Sequence, residues 1–521
     1  MSLDSKAEFS KWRAFFWPIY RWELKKFLSM LGMFFLIALN YNVLRTFKDS
    51  MVVTAPQAGA EAIPFIKVWA ILPSALLLTY IFTRLTNRFH REKVFYVMMS
   101  IFLAFFFVFA FVLYPLRDVL HPNQFADQLQ SILPQGFKGF IAIFRNWTFT
   151  LFYVMSELWS TAIMSVLFWG FANEVTSVSE AKRYYGLLMI GANSASIFAG
   201  QMSYYLSTLP FIPSIPYGSS KWEQSICFMT CIVLAIGVVT IAIFRSLNNY
   251  LAISGEKTNQ EAKKAEKIKL SLRKNFAYLA KSKYLICIAL IVLTYNVAIN
   301  LIEVVWKNQI NALYPDSSDF QAYMGQVTTQ IGIVATLASI FVVGNVMRCF
   351  SWTTNAMIPV VTMFVTGAGF FIFVMFQNSP IMSPLAALVG LTPAALGLML
   401  GSMQNVFARS CKYTFFDATK EIAFIPLSDE SKLKGKAAID GIGSRLGKSG
   451  GSVIHQSLLL FCSTVAASTP YVAAIFIAIS LIWMLAVISL GKKFDQLTAK
   501  NETLDVKEPE PALETPVFTK N

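Results

Sequence analysis

The sequence predicts an all-α membrane protein with twelve transmembrane helices in two pseudo-symmetric six-helix bundles. Three observations predict it. Of 521 residues, 55% are hydrophobic and only 14% are charged, against about 25% charged in a soluble domain. The apolar residues come in runs of bilayer-spanning length and do not alternate. Short motifs of the first half recur in the second at a nearly constant offset.

The elements follow in order. Residues 1–26 are basic and aromatic, lack the apolar stretch of a signal peptide, and read as a cytoplasmic segment. Six spans near 27–47, 63–84, 93–115, 146–172, 184–208 and 223–245 make an N-terminal bundle, 27–245. Residues 246–283, with the run EKTNQEAKKAEKIK, read as a cytoplasmic linker. Six more spans near 284–306, 322–347, 352–377, 383–409, 446–468 and 470–491 make a C-terminal bundle, 284–491. The polar, Pro-rich stretch 492–521 reads as a disordered cytoplasmic tail.

Charge sets the orientation. An even number of spans places both termini on one side. That side holds 36 of the 44 Lys and Arg residues, and the other side with its helix ends holds 8. The excess makes the termini cytoplasmic. The net charge of +15 is therefore topological. No basic stripe with interleaved aromatics occurs, so no nucleic-acid partner is expected. The cysteines at 227, 231, 287, 349, 411 and 462 lie mostly in apolar runs, and the histidines at 90, 121 and 455 are scattered. Neither set has ligand spacing, so no disulfide, metal or cofactor is expected.

Tyr41-Asn42-Val43 returns as Tyr295-Asn296-Val297, an offset of 254, and Asp49 then aligns with Glu303. Near an offset of 250, Glu180, Lys182, Gly191 and Gly200 align with Glu430, Lys432, Gly441 and Gly450. Both copies run in the same direction. This is the parallel two-half architecture of major-facilitator-type transporters, with the substrate held between the halves near mid-membrane. One chain supplies both halves, so a monomer in the lipid bilayer is expected.

Four ionisable residues lie where lipid is expected: Lys67 in IPFIKVWAILP, Glu157 in FYVMSELWSTAIM, Glu303 in NLIEVVWKNQI and Lys448 in SRLGKSGGSVIHQ. A charge at mid-membrane costs about 2.5–3.5 kcal/mol even on the lenient insertion scale. Such groups face a cavity or a partner. The bland readings are a snorkelling Lys67, a structural ion pair at Glu157, a Glu303–Lys307 pair on one helix face and an interfacial Lys448. The repeat aligns Lys448 with Phe198, well inside a helix, and so places it deeper than hydropathy does. The lysines come from opposite halves, as do the glutamates. Two cations converging on one cavity suit an anion such as a phosphate chain. Arg45, Lys48 and Asp49 cluster at the end of the first helix and read as an outer gate or a positioning salt bridge, in preference to direct substrate contact. Arg145 reads as a helix-end or vestibule charge, and Asn296 of the repeated motif as a gate residue. The run Gly441-Ile442-Gly443-Ser444-Arg445-Leu446-Gly447-Lys448-Ser449 lacks the first glycine of a P-loop and no strand precedes it, so it reads as a helix-packing segment. No hydrolytic constellation emerges.

These residues carry a family resemblance. Segments 44–75, 145–174, 299–310, 412–427 and 434–451 resemble the bacterial and plastidic ATP/ADP translocases of chlamydiae, rickettsiae and plastids, chlamydial members above all. The resemblance covers about 27–492. It implies a twelve-helix nucleotide transporter of the bacterial inner membrane, and no enzyme. The expected activity is exchange of external host ATP for internal ADP by alternating access. Proton-coupled import of nucleoside triphosphates, or exchange of another nucleotide such as NAD, remains open. The family's two lysines and two glutamates fall on Lys67, Glu157, Glu303 and Lys448 as the implied substrate-binding set. Two stretches depart from the family: LRTF before Lys48, and GIGSRL after Asp440.

Overall fold

The computed structural model describes residues 17–253, 282–428, 444–500 and the isolated positions 10, 13, 431, 432, 435, 436, 439 and 504. Most of the expected linker, 254–281, and the tail from 505 lie outside the described residues. Among those described, nine helices are long and apolar enough to cross a membrane. They are α1 (Leu24–Val53), α2 (Ala62–Arg88), α3 (Arg91–Leu113), α4 (Trp147–Val175), α6 (Lys221–Ile253), α7 (Lys283–Leu313), α8 (Ser317–Val342), α9 (Trp352–Phe376) and α12 (Val465–Lys500). A bent pair, Met382–Leu388 and Pro393–Ala423, turns by 69° and forms α10. Two further helices of spanning length, α5 (Val178–Thr208) and α11 (Ser444–Cys462), are more polar. Counted with these ten, they are consistent with the expected twelve.

Local chemistry starts and stops these helices. Ser177 and Glu180 form a reciprocal capping box at the start of α5. Asp316 accepts from the Ser318 and Asp319 amides at 2.9 and 3.2 Å to open α8, and Thr392 accepts from Ala395 N at 3.2 Å after the bend in α10. That bend contains Gly390 at φ 69°, with Pro393 in the first turn beyond it. Two boundaries differ from the hydropathy reading. The break between α11 and α12 falls at Ser463, which has φ 69°, and not near 469. Apolar residues on both sides hide that turn. Helix α12 also runs on to Lys500, nine residues past the expected end at 491.

Aromatic stacking packs the N-terminal bundle, with Phe34 on Phe168 at 4.4 Å and Phe95 on Phe244 at 3.8 Å between ring centres. Across the bundles, α5 and α8 run backbone against backbone. A Cβ on Gly325 would lie 2.8 Å from the Gly200 carbonyl oxygen, so only glycine fits there.

The face far from the termini is closed by contacts between the bundles. Ser50 donates to Gln321 Oε1 at 2.5 Å, Gln321 donates to Thr46 Oγ1 at 3.0 Å, and Thr54 meets Ser317 at 2.6 Å. On the terminus-bearing face α2 has no buried residue between Leu72 and Arg88. That half of α2 lies open to its surroundings, in contrast to the contacts that join the bundles at the far face.

Candidate functional site

The site begins with an irregular turn. Ile66–Ile71 in α2 is π-helical. Pro73 has no N–H to offer the Trp69 carbonyl, and the ladder relaxes into a wider turn. This turn carries Lys67 to the opposite bundle. Its ammonium donates to Asn300 Oδ1 and lies 3.3 Å from Glu303 Oε2, both on α7.

Glu303 gathers three cations: Lys67, Lys307 at 2.9 Å and Arg409 at 3.0 Å. Lys307 also reaches Asp49 of α1 at 2.7 Å, with side chains 0% and 1% exposed. Asp49 lies 3.1 Å from Lys48, and Lys48 lies 3.4 Å from Glu157 of α4 and 3.7 Å over the Tyr153 ring. A continuous chain of charge therefore runs Glu157–Lys48–Asp49–Lys307–Glu303–Lys67, with Arg409 attached at Glu303. Each member alone is costly away from water, and each has an opposite charge beside it. Two more π-helical turns flank this chain, Ser160–Phe168 just after Glu157 and Lys412–Phe416 just after Arg409.

Two cations stand apart. Lys448 on α11 is exposed, and Arg45 on α1, one turn from Asp49 toward the terminus-bearing face, is half-buried. Among the described residues neither makes an ion pair or a side-chain hydrogen bond. Lys448 lies between Gly447 and Gly451, where an added Cβ would come within 2.8 Å of Asn296 and 3.1 Å of Asn300, so it sits where α11 packs on α7 beside the Lys67–Asn300 contact.

The structure thus joins Lys67, Glu157 and Glu303 through one chain of ion pairs that runs by way of Lys48, Asp49 and Lys307, and places Lys448 on the helix packed beside Asn300. Arg45 takes no part in those ion pairs. Arg145 is not brought there. It is 4% exposed and bonds Asp127 at 2.6 Å and Gln130 at 3.2 Å in the segment before α4. Asn296 donates to the Val292 carbonyl of its own helix at 2.8 Å, and a Cβ on Gly447 would approach its side chain to 2.8 Å. It marks where α7 packs on α11. The sequence reading missed Asn300, Gln321 and Arg409. Arg409 carried a usable signal, since a charge inside VFARSC meets the same criterion as Glu157. Asn300 and Gln321 carried none, because neutral amides are common in transporter helices.

Comparison with known proteins adds three findings. A family model described as TLC ATP/ADP transporter matches residues 2–494. The chain is 43% identical over 504 residues to ADP,ATP carrier protein 1 of Chlamydia trachomatis serovar D, covering 96% of this chain and 95% of the relative. It is 44% identical over 506 residues to ADP,ATP carrier protein 1 of Chlamydia pneumoniae, covering 96% and 98%. It is 40% identical over 498 residues to the plastidic ATP/ADP-transporter of Solanum tuberosum, covering 96% and 77%. Among solved structures, a bacterial homologue of the iron transporter ferroportin in an inward-facing state aligns with TM-score 0.54 at 14% identity, covering 91% of this chain and 100% of that one. A D-xylose–proton symporter aligns with TM-score 0.53 at 12% identity, covering 92% and 99%. These two likenesses bear on the fold alone.

Proposed function

This chain belongs to the TLC ATP/ADP transporter family, and on that premise we propose that it exchanges external ATP for internal ADP across a bacterial inner membrane. The terminus-bearing face is cytoplasmic in this reading, so the face closed by the Gln321 and Ser317 contacts is the outer one. The observation that carries the reading is the bridge between Lys67 of one bundle and Glu303 of the other. Lys67 here rests on a protein carboxylate. A nucleotide phosphate is the same kind of partner, a planar or tetrahedral anion that accepts charge-assisted hydrogen bonds.

The exchange follows from that equivalence. ADP or ATP entering from the terminus-bearing face meets Lys448 and Arg45, which make no ion pair among the described residues. Its phosphates then take Lys67 from Glu303, and the released Glu303 stays neutralised by Lys307 and Arg409. Losing the Lys67–Glu303 bridge loosens the outer closure, which Asp49–Lys307 and the Gln321 contacts still hold. The lysine and the phosphates now cross the interface together, and the halves rock about the α5–α8 glycine contact. Without nucleotide, turning outward leaves Lys67, Lys448 and Arg45 facing one another unpaired, so the return step needs a substrate. That requirement makes the cycle an exchange. ATP carries about one negative charge more than ADP, so each turnover moves charge worth ~2.3 kcal/mol per 100 mV.

Proteoliposomes test it. Labelled ATP should enter vesicles loaded with ADP and not empty ones. Uptake into empty vesicles driven by a pH gradient would replace exchange with proton-coupled import.

A further inference from the structure

Among the described residues, the seven-membered chain of ion pairs together with Arg45 and Lys448 sets six cations against three carboxylates. The neighbouring Lys412 and Asp417 cancel each other at 3.1 Å. The carboxylates are not spare. Glu303 is shared by three cations, and Asp49 lies sealed between Lys48 and Lys307. Glu157 is the most open of the three, at 24% exposed, and has Lys48 at 3.4 Å.

That arrangement bears on which form of the nucleotide is carried. In the presence of Mg2+ most ATP is a metal complex whose net charge is about half that of the free anion. Mg2+ is held in protein sites by one or two carboxylates together with substrate phosphates and retained waters. Here a dication on the β- and γ-phosphates would be carried toward Lys67, Lys448 and Arg45. These are the groups that must donate to the same oxygens. It would find Glu157 already paired with Lys48. The free polyanion suffers neither conflict and neutralises the excess positive charge of the site.

We propose that the transported species is the metal-free nucleotide anion, and that Arg45 and Lys448 supply the countercharge Mg2+ would otherwise bring. This rests on the exchange reading above and names the substrate form for the same site. It also gives Arg45 a direct part in substrate binding in place of the gate role its neighbours have.

The test uses the unaltered chain in ADP-loaded proteoliposomes at fixed total ATP, with Mg2+ titrated from chelated to a several-fold excess. The initial rate should follow the free-ATP concentration, falling roughly tenfold where about a tenth of the ATP remains uncomplexed. A radiolabelled divalent ion added in parallel should not accumulate with the nucleotide. A rate that is indifferent to Mg2+, that rises with the complex, or that is matched by divalent uptake would overturn the proposal. The two readings fail separately. Exchange that appears only with Mg2+ removes this inference and leaves antiport standing. No ADP-dependent exchange at any Mg2+ level removes antiport itself, and this inference with it.

Discussion

Asp49 and Lys307 meet at 2.7 Å across the interface of the two bundles, and neither side chain is more than 1% exposed. They stand 258 positions apart in sequence. On either side of that pair the chain of charge continues to Glu157 and Lys67.

Breaking that pair on one side leaves the buried Lys307 with Glu303 as its remaining carboxylate and Lys48 with Glu157. Asp49→Asn should therefore cost about 1.5–3 kcal/mol, the worth of a charged hydrogen bond. Thermal unfolding in detergent should show a clear drop in midpoint. A double change, Asp49→Leu with Lys307→Met, should recover most of that loss while transport stays impaired.

Glu303→Gln removes the carboxylate that holds Lys67, Lys307 and Arg409. Lys67 and Arg409 then wait for a phosphate with no rival, while Lys307 keeps Asp49. Nucleotide binding, read by calorimetry, should be retained or tightened, while exchange should fall by roughly tenfold or more, since a charge-assisted bond of 1.5–3 kcal/mol no longer alternates between two partners. Loss of binding would show that Glu303 contacts the nucleotide instead of standing in for it.

Lys448→Gln acts on a cation outside the chain of ion pairs. Its ammonium is exposed and makes no ion pair among the described residues. The apparent KM for nucleotide inside the vesicle should rise about tenfold, as for loss of one charged contact of ~1.4 kcal/mol, with little change in thermal stability.

Gly200 and Gly450 correspond in the sequence repeat but not in their surroundings. A Cβ on Gly200 would meet the Gly325 carbonyl oxygen and the Thr329 amide at 2.5 Å, whereas nothing lies within 4 Å of one on Gly450. Gly200→Ala should destabilise by about 1–3 kcal/mol and slow exchange. Gly450→Ala should be neutral or stabilising by up to about 1 kcal/mol through helix propensity. Thermal midpoints and exchange rates of the two variants provide the comparison.

How far the sequence reaches can be seen at particular residues. Hydropathy located the helices because lipid demands long apolar runs, even where polar α5 and α11 depart from that rule. It missed the α11–α12 turn because Ser463 adopts φ 69° without glycine or proline to announce it. Intramembrane charge picked out Lys67, Glu157 and Glu303, since an unpaired charge in lipid needs a reason. The partnership of Lys67 with Asn300 and Glu303 was invisible, because residues 233 and 236 positions apart meet only once the bundles dock. The same is true of the split within Arg45-Thr46-Phe47-Lys48-Asp49. One turn of helix sends Asp49 into the chain of ion pairs and leaves Arg45 out of it.

Whether phosphates take the place of Glu303 on Lys67 is decided by the exchange rate of a Lys67→Ala variant in ADP-loaded proteoliposomes, with Lys67→Arg beside it. We expect the alanine variant to lose roughly 10- to 100-fold of its ATP uptake, the worth of a charge-assisted hydrogen bond, while reconstituting normally, and the arginine variant to keep part of it. An alanine variant that exchanges ATP at the parental rate would contradict the central role of this lysine.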